Sequence, residues 1–293
     1  MNRFSKYKFI SPQSKQPLAW IDEVQLKNSD AHFVVVNNKL YILKKDVESN
    51  FKTNDFTDKI KSKFKFFFGK YYQFAIYLLS PVMPRFKLFP FQTFTNYKIG
   101  EYAKGKDCII QIGSGNDRIH PSILNIDIFD YPEVDIIADC ANLPFADESI
   151  DMLISNAMLE HVDSPELFLT EARRVLKKDG IIISGVPFMQ GFHASPDDYW
   201  RWTNKGIQTY HSKFGFEKKE VAITAGPASG FVWMLSEFLA LLLSFNIPVL
   251  YLLITILLNL ILLPVKLLDI FLIHLKNAHY ISSFFMYVGS KKS

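Results

Sequence analysis

Cysteine is nearly absent from this chain of 293 residues, which has only Cys108 and Cys140. Two thiols cannot build a four-ligand zinc site. Each falls within or at the end of an apolar run, so both read as small core residues of a reducing compartment. Excess positive charge is equally scarce: a formal +4 is too little to argue for a nucleic-acid partner. The first residues, "MNRFSKYKFISPQSKQPL", reach polar residues and prolines too early to hold a signal-peptide apolar core, and the expectation is a cytoplasmic globular part. Internal repeats are missing too. Apolar residues, by contrast, are abundant. They make up 49% of the chain, with 27 phenylalanines, so some apolar surface is expected to meet something other than water.

Composition shifts divide the chain. Residues 1–50 read as a small β-rich unit, with a turn at "SPQSKQP" and strands "HFVVV" and "KLYIL" joined by Asn37-Asn38. Residues 51–100 form a basic, aromatic linker whose "KIKSKFKFFFGKYYQFAIYLLSPV" reads as a membrane-proximal helix stopped by Pro81. Residues 101–230 alternate strands with helices or loops, the pattern of a parallel α/β sheet. Residues 231–275 are almost wholly apolar, and residues 276–293, ending "SSFFMYVGSKKS", read as a closing strand.

The α/β zone carries the chemistry. Apolar runs at 108–112, 123–126, 134–138, 152–154 and 181–184 are short and uninterrupted, as strands buried on both faces should be. One helix is unambiguous: Ser164 caps it, Pro165 opens it, an apolar face runs through Leu167, Phe168, Ala172, Val175 and Leu176, and Gly180 ends it. Gly113-Ser114-Gly115 follows the first strand, Asp127 the second, Asp139 the third, Ser155-Asn156 the fourth, and "GVPFMQGFHASPDDYWRW" the fifth. Ligands of open parallel sheets bind outside such carboxyl ends. A dinucleotide fingerprint would need a third glycine where Arg118 stands, which disfavours NAD. An acidic residue closing the second strand suits a ribose diol, since a carboxylate accepts two hydroxyl hydrogen bonds.

The ordered stretches "IIQIGSGND", "LNIDIF", "IIADCANLPFADESIDMLISNAMLEHV", "ELFLTEARRVLKKDGIIISGVPF" and "DYWRWTNKGIQTYHSKFGFE" resemble class I S-adenosylmethionine-dependent methyltransferases of the type-11 family over residues 100–225. The resemblance implies a Rossmann-like α/β sheet and S-adenosylmethionine as cofactor. It places Gly113, Ser114 and Gly115 against the methionyl part and Asp127 on the ribose hydroxyls. Asp139 and the backbone of Cys140 would flank the adenine, and Asn156 would lie beside the methionyl group. One departure stands out. Only seven residues separate Gly115 from Ile123, where the family has a three-turn helix, and Pro121 would interrupt a longer one. A turn or single coil is expected there, presenting fewer helix-terminal amides to the cofactor carboxylate.

Methyl transfer to oxygen or nitrogen needs an aligned acceptor and a group that takes its proton. The loop after the fifth strand offers His193, Asp198, Tyr199 and Arg201 for this, and His161 of "LEHV" faces the site by family analogy. A plainer reading stands beside it: Tyr199 and Trp202 pack, Arg201 pairs with Asp198, and Thr203 caps a helix ending at Gly215. A metal site from His193 and the aspartates would need a further ligand cluster that the sequence does not display, so no metal is expected. The first zone has its own resemblance, to the small zinc-ribbon-like domain related to activators of tRNA methyltransferases. Ser11-Pro12-Gln13-Ser14 stands where that pattern has its Cys-Pro-x-Cys pair, which makes the unit metal-free.

The apolar run has a single charge, Glu237, before Lys266, which points to membrane contact. Asn246 and Pro248 split it into 231–245 and 247–263, each too short to cross a bilayer, so a re-entrant or in-plane helical hairpin is expected, inserted before the last strand of the sheet. The reading is therefore a methyltransferase acting at the cytoplasmic side of the membrane on a membrane lipid, a lipid-linked acceptor or another membrane-borne group, without nucleic acid. The alternative is a catalytically silent membrane-bound scaffold with the same fold.

Overall fold

The computed structural model describes residues 3–42, 80–88 and 92–292; the basic aromatic helix expected before Pro81 lies outside them. Strands β1 (Ala19–Trp20), β2 (Gln25–Lys27), β3 (His32–Val36) and β4 (Lys39–Tyr41) form an N-terminal meander. β5 (Phe86–Leu88) and β6 (Gln92–Thr93) make a two-stranded ribbon leading into helix α1 (Phe94–Tyr102). The central strands are β7 (Ile109–Ile112), β8 (Leu124–Asp127), β9 (Ile136–Ile137), β10 (Ile150–Asn156), β11 (Leu176–Pro187), β12 (Phe216–Ala225) and β13 (Phe284–Lys291). Helix α2 (Pro165–Val175) joins β10 to β11, and α3 (Asn204–Lys213) joins β11 to β12.

The strands run in the order β1-β2-β3-β4-β9-β8-β7-β10-β11-β13-β12. β9, β8, β7, β10 and β11 are mutually parallel, and β13 slots antiparallel between β11 and β12. The expected α/β sheet with a closing last strand is thus present. The N-terminal meander is not separate from it. β4 pairs in parallel with β9, Leu40 opposite Ile136, and continues the same sheet. Phe9 packs on Phe145 at 5.4 Å between ring centroids and Tyr7 on Phe145 at 5.9 Å, so the first zone shares the core of the α/β zone. The Asn37-Asn38 turn is as read: both residues take positive φ, 50° and 65°, which twists the hairpin correctly. Ser11, fully buried, donates its hydroxyl to Asp30 Oδ2 at 3.1 Å and accepts the Ser14 N–H at 3.3 Å, so hydrogen bonds hold that turn.

One face of the sheet is covered by α2 and α3, through Phe168, Leu169, Ala172, Val175 and Ile207; Ile99 of α1 packs on the other. Helix α2 stops earlier than expected. Its last residue is Val175, Leu176 turns extended, and Gly180 sits inside β11, where a bulge between Leu176 and Ile181 absorbs the extra residues. Ser164 makes no side-chain cap bond; Pro165 in the first turn needs none of its own. By contrast Thr203 caps α3, accepting the Gly206 N–H at 2.9 Å.

Between β12 and β13 the chain inserts α4 (Pro227–Leu243), α5 (Pro248–Ile261), α6 (Leu263–Leu267) and α7 (Asp269–Leu272). The root of this insertion is polar. The buried Asp269 carboxylate accepts the Ala228 and Ser229 N–H groups at 2.7 and 2.9 Å, capping α4 from a distant part of the chain, and Lys266 Nζ donates to the Ser80 carbonyl at 2.8 Å. The outer part is bare apolar surface: Phe238, Leu241, Leu242, Phe245, Val249 and Leu253 are all exposed. No single helix among the described residues is long and apolar enough to cross a membrane, and α5 with the segment to Leu272 forms a pair bent by 51°.

Candidate active site

The carboxyl ends of β7, β8, β9 and β10 converge as the sequence requires. The β7–β8 connection contains no helix. Gly113 and Gly115 take φ of +65° and +54°, and a Cβ at Gly113 would lie 2.3 Å from Met158 Cγ, so only glycine lets the loop pass under Met158. In place of the missing helix stands an ion-pair staple. Arg118 donates to Asp135 at 2.7 Å and to Glu133 at 2.8 Å, and also to the Ile123 and Glu133 carbonyls. Asp135 in turn accepts the Asn125 N–H at 2.8 Å and pairs with Arg3. The residue that breaks the dinucleotide pattern is therefore the one that closes the shortened loop.

Asp127 ends β8 almost fully buried. Its Oδ2 accepts the Gly115 N–H at 2.8 Å and its Oδ1 the Phe129 N–H at 3.0 Å. Burial raises its pKa, and the two amides oppose that by favouring the charged form. Each oxygen keeps a second lone pair. The Ser114 hydroxyl is buried and without a hydrogen-bond partner among the described residues, as is that of Ser155 near the end of β10. Asp139 folds its own turn, accepting the Ala141 N–H at 2.9 Å. Burial pushes the Cys140 thiol up to about 12, which keeps it uncharged. Asn156 lies against Gly185, where a Cβ would sit 2.1 Å from its Oδ1. Two buried hydroxyls, a held carboxylate and a glycine loop thus stand at neighbouring strand ends, where open parallel sheets bind their ligands.

Beyond β11, the 188–203 loop folds over the residues that follow β10. The Tyr199 N–H donates to the Glu160 carbonyl at 2.7 Å, Trp200 Nε1 to the Val162 carbonyl at 2.9 Å, and His161 Nδ1 lies 2.6 Å from the Asp197 carbonyl. His161 and His193 come together edge to face, 5.3 Å between rings. Arg201 grips Asp198 with two nitrogens and donates to the Gly191 carbonyl at 2.7 Å, while Asp198 Oδ2 accepts the His193 N–H at 2.8 Å. Burial alone would raise the pKa of Asp198; Arg201 and the His193 amide outweigh it and hold the pKa at about 2. Asp198 and Arg201 thus brace the loop, as the plainer reading had it. Tyr199 is half exposed and bonds Asp197 at 3.2 Å. Trp202 is buried and packs on Tyr210 at 4.9 Å. Two site residues escaped the sequence reading: Glu160, hidden inside the "LEHV" stretch, and Trp233 of α4, whose ring lies 5.5 Å from that of His193.

The Asp198 pKa has a testable consequence. A carboxyl held near 2, against 3.8 unperturbed, contributes stability that is present above about pH 4 and is lost as pH falls through 2. Its size is on the order of 2 kcal/mol. Acid denaturation followed by circular dichroism should show this loss in the wild type and not in Asp198→Asn. Parallel curves for both proteins would refute the clamp.

Residues 117–184 match the family model described as a methyltransferase domain. Over that stretch the chain is similar to a methyltransferase domain. The match begins just beyond the glycine loop and takes in Asp127, Asp139, Cys140, Asn156 and His161, and with the mostly parallel sheet it supports a class I methyltransferase. An uncharacterized protein of Methanocaldococcus jannaschii is 45% identical over 51 residues, 17% of this chain and 25% of its own length, so the chain matches about a quarter of that relative. Among solved structures, the Haemonchus contortus phosphoethanolamine N-methyltransferase 2 in complex with S-adenosyl-L-methionine is similar with a TM-score of 0.49 and 13% identity, over 84% of this chain and 60% of that one. A putative methyltransferase of Bacillus halodurans is similar with a TM-score of 0.41 and 14% identity, over 68% of this chain and 99% of that one.

Proposed function

We propose that this methyltransferase domain uses S-adenosylmethionine to methylate an oxygen or nitrogen of a lipid-linked or other membrane-borne acceptor at the cytoplasmic face of a membrane. When bound, the cofactor supplies an electrophilic methyl group on a sulfonium. Asp127 would hold the ribose diol, the 113–115 loop with the Ser114 hydroxyl the methionyl part, and Asp139 with the Cys140 backbone the adenine edge. Asn156 would position the methionyl group. His161 and His193 would take up, or weaken the hold of, the acceptor proton.

The observation that carries the membrane reading is a shared helix. Trp233, in the first half of α4, packs against His193 with the rings tilted by 45°, and a Cβ on Gly191 would lie 2.5 Å from its Nε1. The second half of the same helix exposes Phe238, Leu241 and Leu242. An apolar patch of this extent on α4 and α5 is far beyond the scattered exposure normal for a soluble surface, and a bilayer is the occupant that suits it. At 1.5 Å per residue, α4 and α5 reach about 26 and 21 Å, below the roughly 30 Å of hydrocarbon, in keeping with a hairpin that dips in and returns.

Two measurements test this. Incubation with methyl-labelled S-adenosylmethionine and fractionated membranes should place label in the lipid fraction; label confined to soluble fractions would move the acceptor elsewhere. In flotation with phospholipid vesicles the full chain should rise with the lipid, and Leu241→Lys with Leu253→Lys should lower the bound fraction several-fold, since each lysine costs about 2.5–3.5 kcal/mol at membrane depth. Unchanged flotation of that double variant would reject the hairpin as the anchor.

A further inference from the structure

Glu160 is fully buried, yet neither of its carboxylate oxygens has a hydrogen-bond partner among the described residues. A buried carboxylate left unpaired is costly, so its surroundings should show what compensates it. Two imidazoles face it: His193 Nε2 lies 3.8 Å and His161 Nε2 3.9 Å from Glu160 Oε1. We propose that Glu160, His161 and His193 form a divalent transition-metal site with one carboxylate and two imidazole ligands.

Tautomer geometry supports this. His161 Nδ1 lies 2.6 Å from the Asp197 carbonyl and His193 Nδ1 3.0 Å from the Gly191 carbonyl. A carbonyl can only accept, so a neutral ring making this contact carries its proton on Nδ1 and its lone pair on Nε2; at His193 the carbonyl at 3.0 Å is closer than Arg201 Nη2, which lies 3.4 Å from the same nitrogen. Both lone pairs thus belong to the nitrogens facing Glu160. Pinning the distal ring N–H on a carbonyl is the usual support of a metal-bound histidine. An ion pair is the competing explanation, but charge-assisted N–H···O contacts close to about 2.7–2.9 Å. Separations of 3.8–3.9 Å are too long for that. They are close to the roughly 3.4 Å expected between two donors that share one tetrahedral centre at about 2.1 Å. The three ligand atoms lie within 4.8 Å of one another, so seating an ion would draw each Glu–His pair in by about half an ångström and the pair farthest apart by up to about 1.4 Å, within reach of side-chain rotation.

The donor set names the class of ion. Two imidazoles and a carboxylate suit Zn²⁺, Fe²⁺ or Co²⁺ rather than the all-oxygen shells of Mg²⁺ or Ca²⁺. Three protein ligands leave a coordination position open. Resting on the methyl-transfer reading, that position would take the acceptor oxygen or nitrogen and ease loss of its proton, the two histidines then acting through the ion and not as bases of their own. The absence of metal expected from sequence followed from considering His193 with the aspartates; the carboxylate that completes the set is Glu160, beside His161 in the chain and carried onto His193 by the fold.

The test uses the full chain in detergent, stripped with chelator and titrated with Co²⁺. One equivalent should bind, with visible absorption of low-coordinate Co²⁺ and a rise in melting temperature. Glu160→Gln keeps the side chain's size, and it should weaken binding at least 10-fold, as should His161→Ala. A wild type without stoichiometric Co²⁺ or Zn²⁺, or a Glu160→Gln variant that binds as tightly, overturns the proposal. Calorimetry with S-adenosylmethionine is run separately on the stripped protein. Metal bound without cofactor binding would sink the methyl-transfer reading and leave the metal site standing; cofactor bound without metal would do the reverse.

Discussion

Asp127→Ala should weaken S-adenosylmethionine binding by about 5- to 150-fold, corresponding to about 1–3 kcal/mol for a lost charged hydrogen-bonding partner. Two effects add. The diol loses a buried carboxylate, and the Gly115 and Phe129 amides that hold that carboxylate lose their acceptor, which loosens the glycine loop itself. Asp127→Asn separates the two, since it keeps the volume but sets an NH₂ against one of those amides. Isothermal calorimetry checks the order expected, with wild type tightest. If a folded wild type binds no S-adenosylmethionine at all, the silent scaffold becomes the better account, and the shortened β7–β8 loop its structural reason.

The second large effect concerns turnover. His193→Ala should cut methyl transfer by about 10²–10⁴-fold, the usual contribution of a positioned proton-handling group. Cofactor affinity should change little, because His193 stands on the 188–203 loop, whereas Ser114 and Asp127 lie at the ends of β7 and β8. His193 is held by its backbone N–H on Asp198, by Nδ1 on the Gly191 carbonyl and by the tilted Trp233 ring, so the alanine variant removes the ring without removing the clamp between Arg201 and Asp198. Single-turnover rates with the true acceptor, alongside calorimetry, measure both quantities. Normal turnover in His193→Ala would shift the assignment to His161.

Much of the site was legible because its determinants are local. Gly113 and Gly115 stand where the backbone needs positive φ, and an aspartate after an apolar run marks a strand end whatever surrounds it. Asn37-Asn38 specified its own turn, and Asn246 with Pro248 broke the apolar run where α4 gives way to α5. Even the missing helix could be counted from the seven residues between Gly115 and Ile123.

What replaced that helix could not be counted. Arg118 finds Glu133 and Asp135 because β8 and β9 lie side by side, and the first zone joins the sheet where β4 pairs with β9, nearly a hundred residues away in the chain. Likewise Asp269 caps α4 from across the insertion, and Glu160 meets His193 only when the 188–203 loop folds back over the end of β10. The sequence by itself determined the strands, the glycine turn, the acidic strand ends and the apolar hairpin, because each depends on backbone preference or hydrophobic patterning over a few residues. Tertiary structure alone decided the pairings that cross the chain, since a buried charge acquires its partner from whichever element the packed core brings within reach of it.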